Sequence, residues 1–289
     1  MRILHTADWH VGKVLMGNRR EDEHQAVLAD LVAAAEDEGV DLVLVAGDVF
    51  DTVAPSPKAQ GLVVRTLMEL AQTRRRVVVI AGNHDNRRQW EYVFRPVLAA
   101  LDIDVLGIPS QGGRIEVTTR GGETARLALL PFVSQQDAVR GAEVMTLTQA
   151  ENQSLYRQVY QDMVGRLTSD WFSSTTVNLV VAHASLFGAQ RGGGEREAQT
   201  IDTYCVGPEA FPDSCHYVAL GHLHQRQQMP ANVPIHYSGS PLQIDFGETR
   251  NASVAVIVDA THDAPASTTD RPVAGGRSLV TVPGTLDEL

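Results

Sequence analysis

Cysteine is nearly absent: Cys205 and Cys215 are the only two among 289 residues. Two thiols cannot build a disulfide framework, and nothing places them in a metal cluster, so a reducing cytoplasm is the expected compartment. Aromatics make up only 6%, and 13 prolines with 24 glycines are too few for a linker or a low-complexity chain. Long hydrophobic runs are missing too. The longest, such as Asp41–Ala46 and Val77–Ala81, have strand length and fall far short of a membrane span. Met1–His5 leads into a strand-like segment without the charged, apolar and small-residue order of a signal peptide. Positive charge is in deficit, with 24 basic residues against 35 acidic and a net charge of −11. That balance argues against a protein that holds nucleic acid on a basic surface. One case escapes the argument. If carboxylates and imidazoles hold divalent cations, the site itself attracts phosphate. The basic residues that exist are bunched, at Arg19-Arg20, Arg74–Arg76, Arg87-Arg88 and Arg191 with Arg196. Taken singly, such bunches read as solvated surface.

What is present is a globular composition, 43% hydrophobic and 20% charged, long enough for one large domain or a main domain with a small appendage. Arg2–Thr6 reads as a strand. Glu21–Glu38 has helical spacing and stops at Gly39, a C-terminal cap. Asp41–Ala46 reads as a strand covered on both faces. Ser56-Pro57 opens a helix to about Thr73, Val77–Ala81 is a second buried strand, and Arg87–Leu101 a further helix. This alternation predicts an α/β fold with a mainly parallel sheet. Beyond residue 102 short strands dominate, at 104–107, 114–118, 125–130, 177–182, 216–220, 235–237 and 253–259, with one long helix from Thr148 to Leu167. Arg191–Glu197 is a glycine-rich loop, and Thr261–Arg277 reads as an irregular loop or hairpin tip. Thr285 with Glu288 has the spacing of a capping box, the start of a helix that the sequence interrupts.

Five segments join metal-ligand residue types to strand ends. They are Asp8-Trp9-His10, Gly47-Asp48-Val49-Phe50-Asp51, Gly82-Asn83-His84-Asp85, His183 and Gly221-His222-Leu223-His224. Ligands in open α/β sheets sit at the carboxyl ends of strands, so the fold can gather all five. Asp, Asn and His together suit Mn²⁺ or Fe²⁺ and do not suit a thiolate zinc site. A carboxylate can bridge two cations, and such a pair can clamp a phosphate for in-line attack. Each segment alone has a bland reading: Asp-x-His arises by chance, and a histidine after an apolar strand is most often structural. The ordered set of five is what carries weight.

That set resembles the signature of the calcineurin-like metallophosphoesterases. Within them, the chain looks like the SbcD family of bacterial double-strand-break repair nucleases. The likeness rests on Arg2–Lys13, on Gly47–Thr52 and on His216–His224 followed by Tyr237–Glu248, and it extends from Met1 to about Asp259. It implies a four-layer α-β-β-α sandwich, with residues 1–260 as the nuclease domain and 261–289 as an irregular segment leading to a capping domain. It implies two Mn²⁺ ions, one held by Asp8, His10, Asp48 and His224, the other by Asp48, Asn83, His183 and His222, with Asp48 shared. His84 is expected to meet the scissile phosphate instead of a metal. Asp51 stands where archaeal and eukaryotic relatives carry a second histidine, and either orients the His84 ring or makes a structural hydrogen bond. DNA is the implied substrate, at ends, hairpins and single strands, and an SbcC-type ATPase the implied partner, bound through a segment that lies beyond this sequence. A homodimer through the helices near 56–73 and 87–101 is expected, with Tyr92, Leu98 and part of Leu62–Leu67 left for the second copy. Two rival readings share the fold or the site: a general phosphatase or cyclic-nucleotide phosphodiesterase, and a non-catalytic scaffold. The absence of Arg from Gly47–Thr52 counts against the Ser/Thr phosphatases, and the complete ligand set counts against the scaffold.

Overall fold

The computed structural model describes residues 1–72, 75–111, 113–138, 148–195 and 204–282. Two six-stranded sheets lie face to face. The first has the order Ser267–Pro272, Val254–Asp259, Arg2–Thr6, Leu42–Val45, Arg76–Ile80, Ile103–Leu106. Its last four strands run parallel, and the first two join through antiparallel pairs. The second has the order Gln227–Met229, Ile235–Tyr237, Tyr217–Gly221, Val177–His183, Thr124–Leu130, Arg114–Thr118. Its four central strands are parallel and its two edges antiparallel.

Successive side chains of a strand point to opposite faces, and Leu42–Val45 shows why an unbroken apolar run is needed. Leu42 and Leu44 meet Leu127, Leu179 and Val181 between the sheets. Val43 and Val45 pack outward with Leu28, Leu31, Val63 and Leu67 of the helices. On the far side, Val180, Ala182, Val218 and Leu220 meet Tyr156, Tyr160 and Val164 of the Gln149–Thr168 helix. The result is helix, sheet, sheet, helix, the expected four layers.

Helix Glu21–Asp37 ends as its sequence predicts. Gly39 is left-handed at φ 59°, and its N–H donates to the Glu36 carbonyl at 3.0 Å. Ser56 caps Pro57–Leu70, its Oγ accepting from the Ala59 N–H at 3.2 Å. The segment 87–101 departs from expectation. It is α at Arg87–Gln89, π at Trp90–Phe94, α at Arg95–Leu98 and 3₁₀ at Ala99–Leu101. Pro96 lacks an N–H, and in a regular α-turn its ring would crowd the carbonyl four residues back. The wider turn, in which the Arg95 N–H reaches the Trp90 carbonyl, relieves that clash and shifts the helical phase. Leu98 is therefore core, 1% exposed beside Trp90 and Phe94, and not the surface residue expected of it. Val63 and Leu67 are core as well, while Tyr92, Val93, Val97 and Leu101 face outward with Met68.

A second correction concerns 261–289. Ser267–Pro272 is a strand, paired along its whole length with Val254–Asp259, so the first sheet continues past residue 260. A run of Ser, Thr, Asp and Arg carries no apolar alternation because this edge strand is largely exposed. Farther on, the Arg277 N–H and guanidinium bind Glu23, and the Leu279 N–H donates to Gln243 Oε1. The expected capping box at Thr285 and Glu288 lies outside the described residues. No helix among the described residues is long and apolar enough to cross a membrane.

Candidate metal centre

All five segments leave the carboxyl ends of parallel strands on one side of the sandwich. Asp8 and His10 follow Arg2–Thr6, Asp48 follows Leu42–Val45, and Asn83 and His84 follow Arg76–Ile80. His183 closes its strand in register with Gly221, which sets His222 beside it. The loops are tied to one another by main-chain bonds, Asp8 N–H to the Gly47 carbonyl and His10 N–H to the Asp48 carbonyl, both 3.0 Å. Asp85 completes the tie. Its buried carboxylate accepts from the N–H groups of Val49 at 3.2 Å, Phe50 at 3.0 Å and Gly82 at 2.9 Å. Holding the loops this way strains the chain. Asp8, His10, Asp48 and His222 all have positive φ, from 48° to 103°, at roughly 1–3 kcal/mol each. Gly82 is required beside them, because a Cβ there would run into the Asp48 carboxylate.

The side chains converge in overlapping groups. Asp8, His10 and His224 offer ligand atoms within 4.8 Å of one another, and so do Asp48, His183 and His222. These six residues are at most 2% exposed. Asn83 Oδ1 joins the second group, 2.8 Å from His183 Nε2 and 2.7 Å from His222 Nδ1. Asp48 lies between the groups, with Oδ2 3.4 Å from His183 Nε2 and 3.9 Å from His10 Nε2. All seven residues assigned to metal from the sequence are brought together.

The chemistry of the donors fits cations. His183 Nδ1 donates to the Ala46 carbonyl at 2.8 Å, so Nε2 faces Asn83 Oδ1 and Asp48 Oδ2, neither of which can donate to it. His224 Nδ1 donates to Glu248 at 2.6 Å, so its Nε2 faces His10 Nε2 at 3.0 Å, and the two share at most one proton. Asp48 Oδ2 is buried without a well-aligned hydrogen-bond partner. Groups so arranged must take up protons or cations. Burial opposes charge on His183, but Asp48 outweighs it and pushes the ring up to about 9. Burial likewise opposes charge on His224, and Glu248 reverses it, again to about 9. Burial pushes His10 down to about 3 against the pull of Asp51, and pushes Asp8 up to about 7 against the pull of His183 and His224. Burial would raise Asp48 too, yet the His183, His84 and His10 rings hold it well below the ordinary carboxylate value. These clusters suit a dinuclear metal site.

His84 stands at the edge of the centre, 6% exposed, with Nε2 4.0 Å from Asp48 Oδ2. Its Nδ1 donates to the main-chain carbonyl of Asp51 at 2.8 Å. Asp51 therefore does hold the His84 ring, but through its backbone. Its carboxylate turns instead to His10 Nδ1 at 3.6 Å and Lys13 Nζ at 3.5 Å. Phe132 walls the opposite side, stacked on His222 at 5.9 Å and edge-on to His183 at 6.2 Å.

Residues 1–226, which contain all seven of these residues, match the family model of the calcineurin-like phosphoesterases. The SbcD subunit of the SbcCD nuclease of Bacillus subtilis is 35% identical over 289 residues, covering 97% of this chain and 71% of that protein. Its counterparts in Rhodobacter capsulatus and Escherichia coli K12 are 36% and 33% identical. Each of these alignments covers 86% of this chain, and they span 64% and 62% of the respective relative's length. The chain belongs to the SbcD nuclease family of the calcineurin-like phosphoesterases. A dimetal phosphatase from Danio rerio shares its fold, at 13% identity and TM-score 0.51 over 94% of this chain and 96% of that one.

In this SbcD-family site, three contributors do not stand out from the sequence. Asp85 is visible as the last residue of Gly82–Asp85, but nothing in the motif assigns it a role. Glu248 and Glu195 support His224 from behind, and both act across long stretches of chain that no local spacing connects. Glu248 closes the Tyr237–Glu248 segment on which the family likeness partly rests, the one signal that points to it.

Proposed function

We propose that the chain is a Mn²⁺-dependent DNA phosphodiesterase of the cytoplasm, cutting ends, hairpins and single strands as the nuclease component beside an SbcC-type ATPase. The observation that carries the reading is the convergence of seven ligand residues from five strand ends on two groups with Asp48 between them. Asp8, His10, Asp48 and His224 would hold one ion, and Asp48, Asn83, His183 and His222 the other. Bound there, two divalent cations would supply Lewis-acid stabilisation of the phosphoryl charge and a more acidic water. The chain's own part is to position and to move a proton. With Nδ1 fixed on the Asp51 carbonyl, His84 directs Nε2 toward the centre, where in its protonated form it donates to the leaving oxygen. The Asp51 carbonyl orients that ring, and the Asp51 carboxylate with Lys13 steadies His10.

The test is cleavage of linear duplex, hairpin and single-stranded DNA beside bis-p-nitrophenyl phosphate, with Mn²⁺, with Mg²⁺ and with chelator. Mn²⁺-dependent cutting of DNA is the expected result. Hydrolysis of the small diester with intact DNA would favour the general phosphodiesterase instead. The outward set Tyr92, Val93, Val97, Leu101 and Met68 supports a homodimer through the 57–70 and 87–101 helices, which touch through the Gln89–Gln60 hydrogen bond. Light scattering at tens of micromolar should return twice the chain mass. A strictly monomeric mass would remove the dimer from the proposal.

A further inference from the structure

We propose that Glu248 is a positioning residue for His224 and makes the two halves of the metal centre unequal. The inference rests on the dinuclear reading above and adds an order of filling to it. His183 and His224 are counterparts: each offers Nε2 to the centre and is held through Nδ1–H. His183 is held by a neutral group, the Ala46 carbonyl, at 2.8 Å. His224 is held by a carboxylate, Glu248 Oε1, at 2.6 Å.

Glu248 is 0% exposed, and His224 is its one ionic partner among the described residues. Its other oxygen, Oε2, accepts from the Ile244 N–H at 2.7 Å. Both neighbours are donors, and the two carboxylate oxygens accept one hydrogen bond from each. A glutamine in the same place would turn its NH₂ toward one of them. Glu195 adds a second carboxylate on the same side, accepting from the His224 N–H at 2.9 Å and from the N–H groups of Gly192 and Gly193. The Gly192–Gly194 strap that this creates lies directly on the pair. A Cβ on Gly194 would collide with Glu248 Oε1 and come within 2.9 Å of His224 Nδ1. His224 is thus locked in one tautomer in a dry setting, whereas no carboxylate takes the Nδ1 proton of His183.

A carboxylate behind a ligating imidazole fixes its orientation and raises its basicity, and removing such a partner costs about 10–100-fold in metal affinity. The half formed by Asp8, His10 and His224 also contains its own carboxylate, where the other half has the neutral Asn83. The first half should fill first.

Calorimetric titration of metal-stripped protein with Mn²⁺, with electron paramagnetic resonance to count isolated and coupled ions, tests this without reference to activity. Wild type should bind two ions in steps separated by about tenfold or more. Glu248→Gln should weaken the tighter step by about 10–100-fold and leave the weaker step nearly unchanged. Glu248→Asp, which keeps both acceptor oxygens on a shorter arm, should weaken the same step by less, and decides the matter if the glutamine variant does not fold. Two equal steps in wild type, or equal weakening of both steps in the variants, would overturn the assignment of Glu248. Failure of wild type to take up two ions would instead overturn the dinuclear reading itself.

Discussion

The same parallel strands end in two very different places. At their amino ends lies the larger opening, a cleft of about 720 Å³ lined by Glu36, Asp41, Arg75, Arg76 and Arg120 among others. Most of its charges are matched: Arg76 binds Asp102 and Asp104, Arg75 approaches Glu36, and Glu116 pairs with Arg126. At their carboxyl ends the openings are smaller, about 410 Å³ beside Asn83 and Phe132. Yet there His183 Nε2 meets Asp48 Oδ2, His224 Nε2 meets His10 Nε2, and Asp48 Oδ2 is buried without a well-aligned partner. Void volume marks a place where the sheets diverge. Chemistry is marked by polar atoms that the protein has gathered, buried and left short of donors.

The largest effect should come from removing the residue that lies between the two groups. Asp48→Ala should lower bound Mn²⁺ below one per chain by elemental analysis and reduce DNA cleavage to background, with the far-ultraviolet circular dichroism unchanged. Retention of two tightly bound ions would show that Asp48 bridges nothing. His84→Gln should be milder in kind. Both ions should remain and DNA should still bind, while cleavage slows by at least about 10²-fold, the usual worth of a general acid. If the variant instead loses Mn²⁺ in proportion to rate, His84 is a ligand, consistent with its place beside His10 and Asp48.

The residues proposed to touch cations directly are legible because each sits at a strand end within a short motif, and strand ends follow from apolar runs. The supporting residues are not. Glu248 lies 24 positions from His224 and Glu195 lies 29, and each contact depends on loop paths that no periodicity encodes. Leu98 is misplaced for a local reason: reading 87–101 as uniform α-helix ignores the wider turn that Pro96 imposes, and one added residue turns the apolar stripe. Ser267–Pro272 is hidden because an exposed edge strand needs no apolar face. Burial writes itself into sequence; satisfied backbone pairing at an edge does not.

Asp85 sharpens the contrast between the two ends through stability instead of rate. Its carboxylate satisfies three buried N–H groups that join the Asp48 and Asn83 loops. Asp85→Ala strands all three, at about 1–3 kcal/mol each. Denaturant unfolding of metal-free protein should therefore show a loss of at least about 3 kcal/mol. A loss below about 1 kcal/mol would mean that water replaces the carboxylate and that the loops are held by the strands alone.

The smallest effect is expected at the other end. Arg76 binds Asp104 through Nε at 2.6 Å and Nη2 at 3.0 Å, and Asp102 through Nη1 at 2.9 Å. The geometry is good, but the Arg76 side chain is 35% exposed and that of Asp102 66%. Exposed ion pairs contribute about 0–1 kcal/mol because water screens them and ordering two long side chains costs entropy. Arg76→Ala should accordingly lower the melting temperature by about 2–4 °C at most. Bound Mn²⁺ and the cleavage rate should not change, since the strand between Arg76 and Asn83 is buried among residues the substitution does not touch. A tenfold fall in cleavage with intact metal content would mean that the two ends communicate along Arg76–Ile80, and the matched end could no longer be treated as independent of the chemistry at the other.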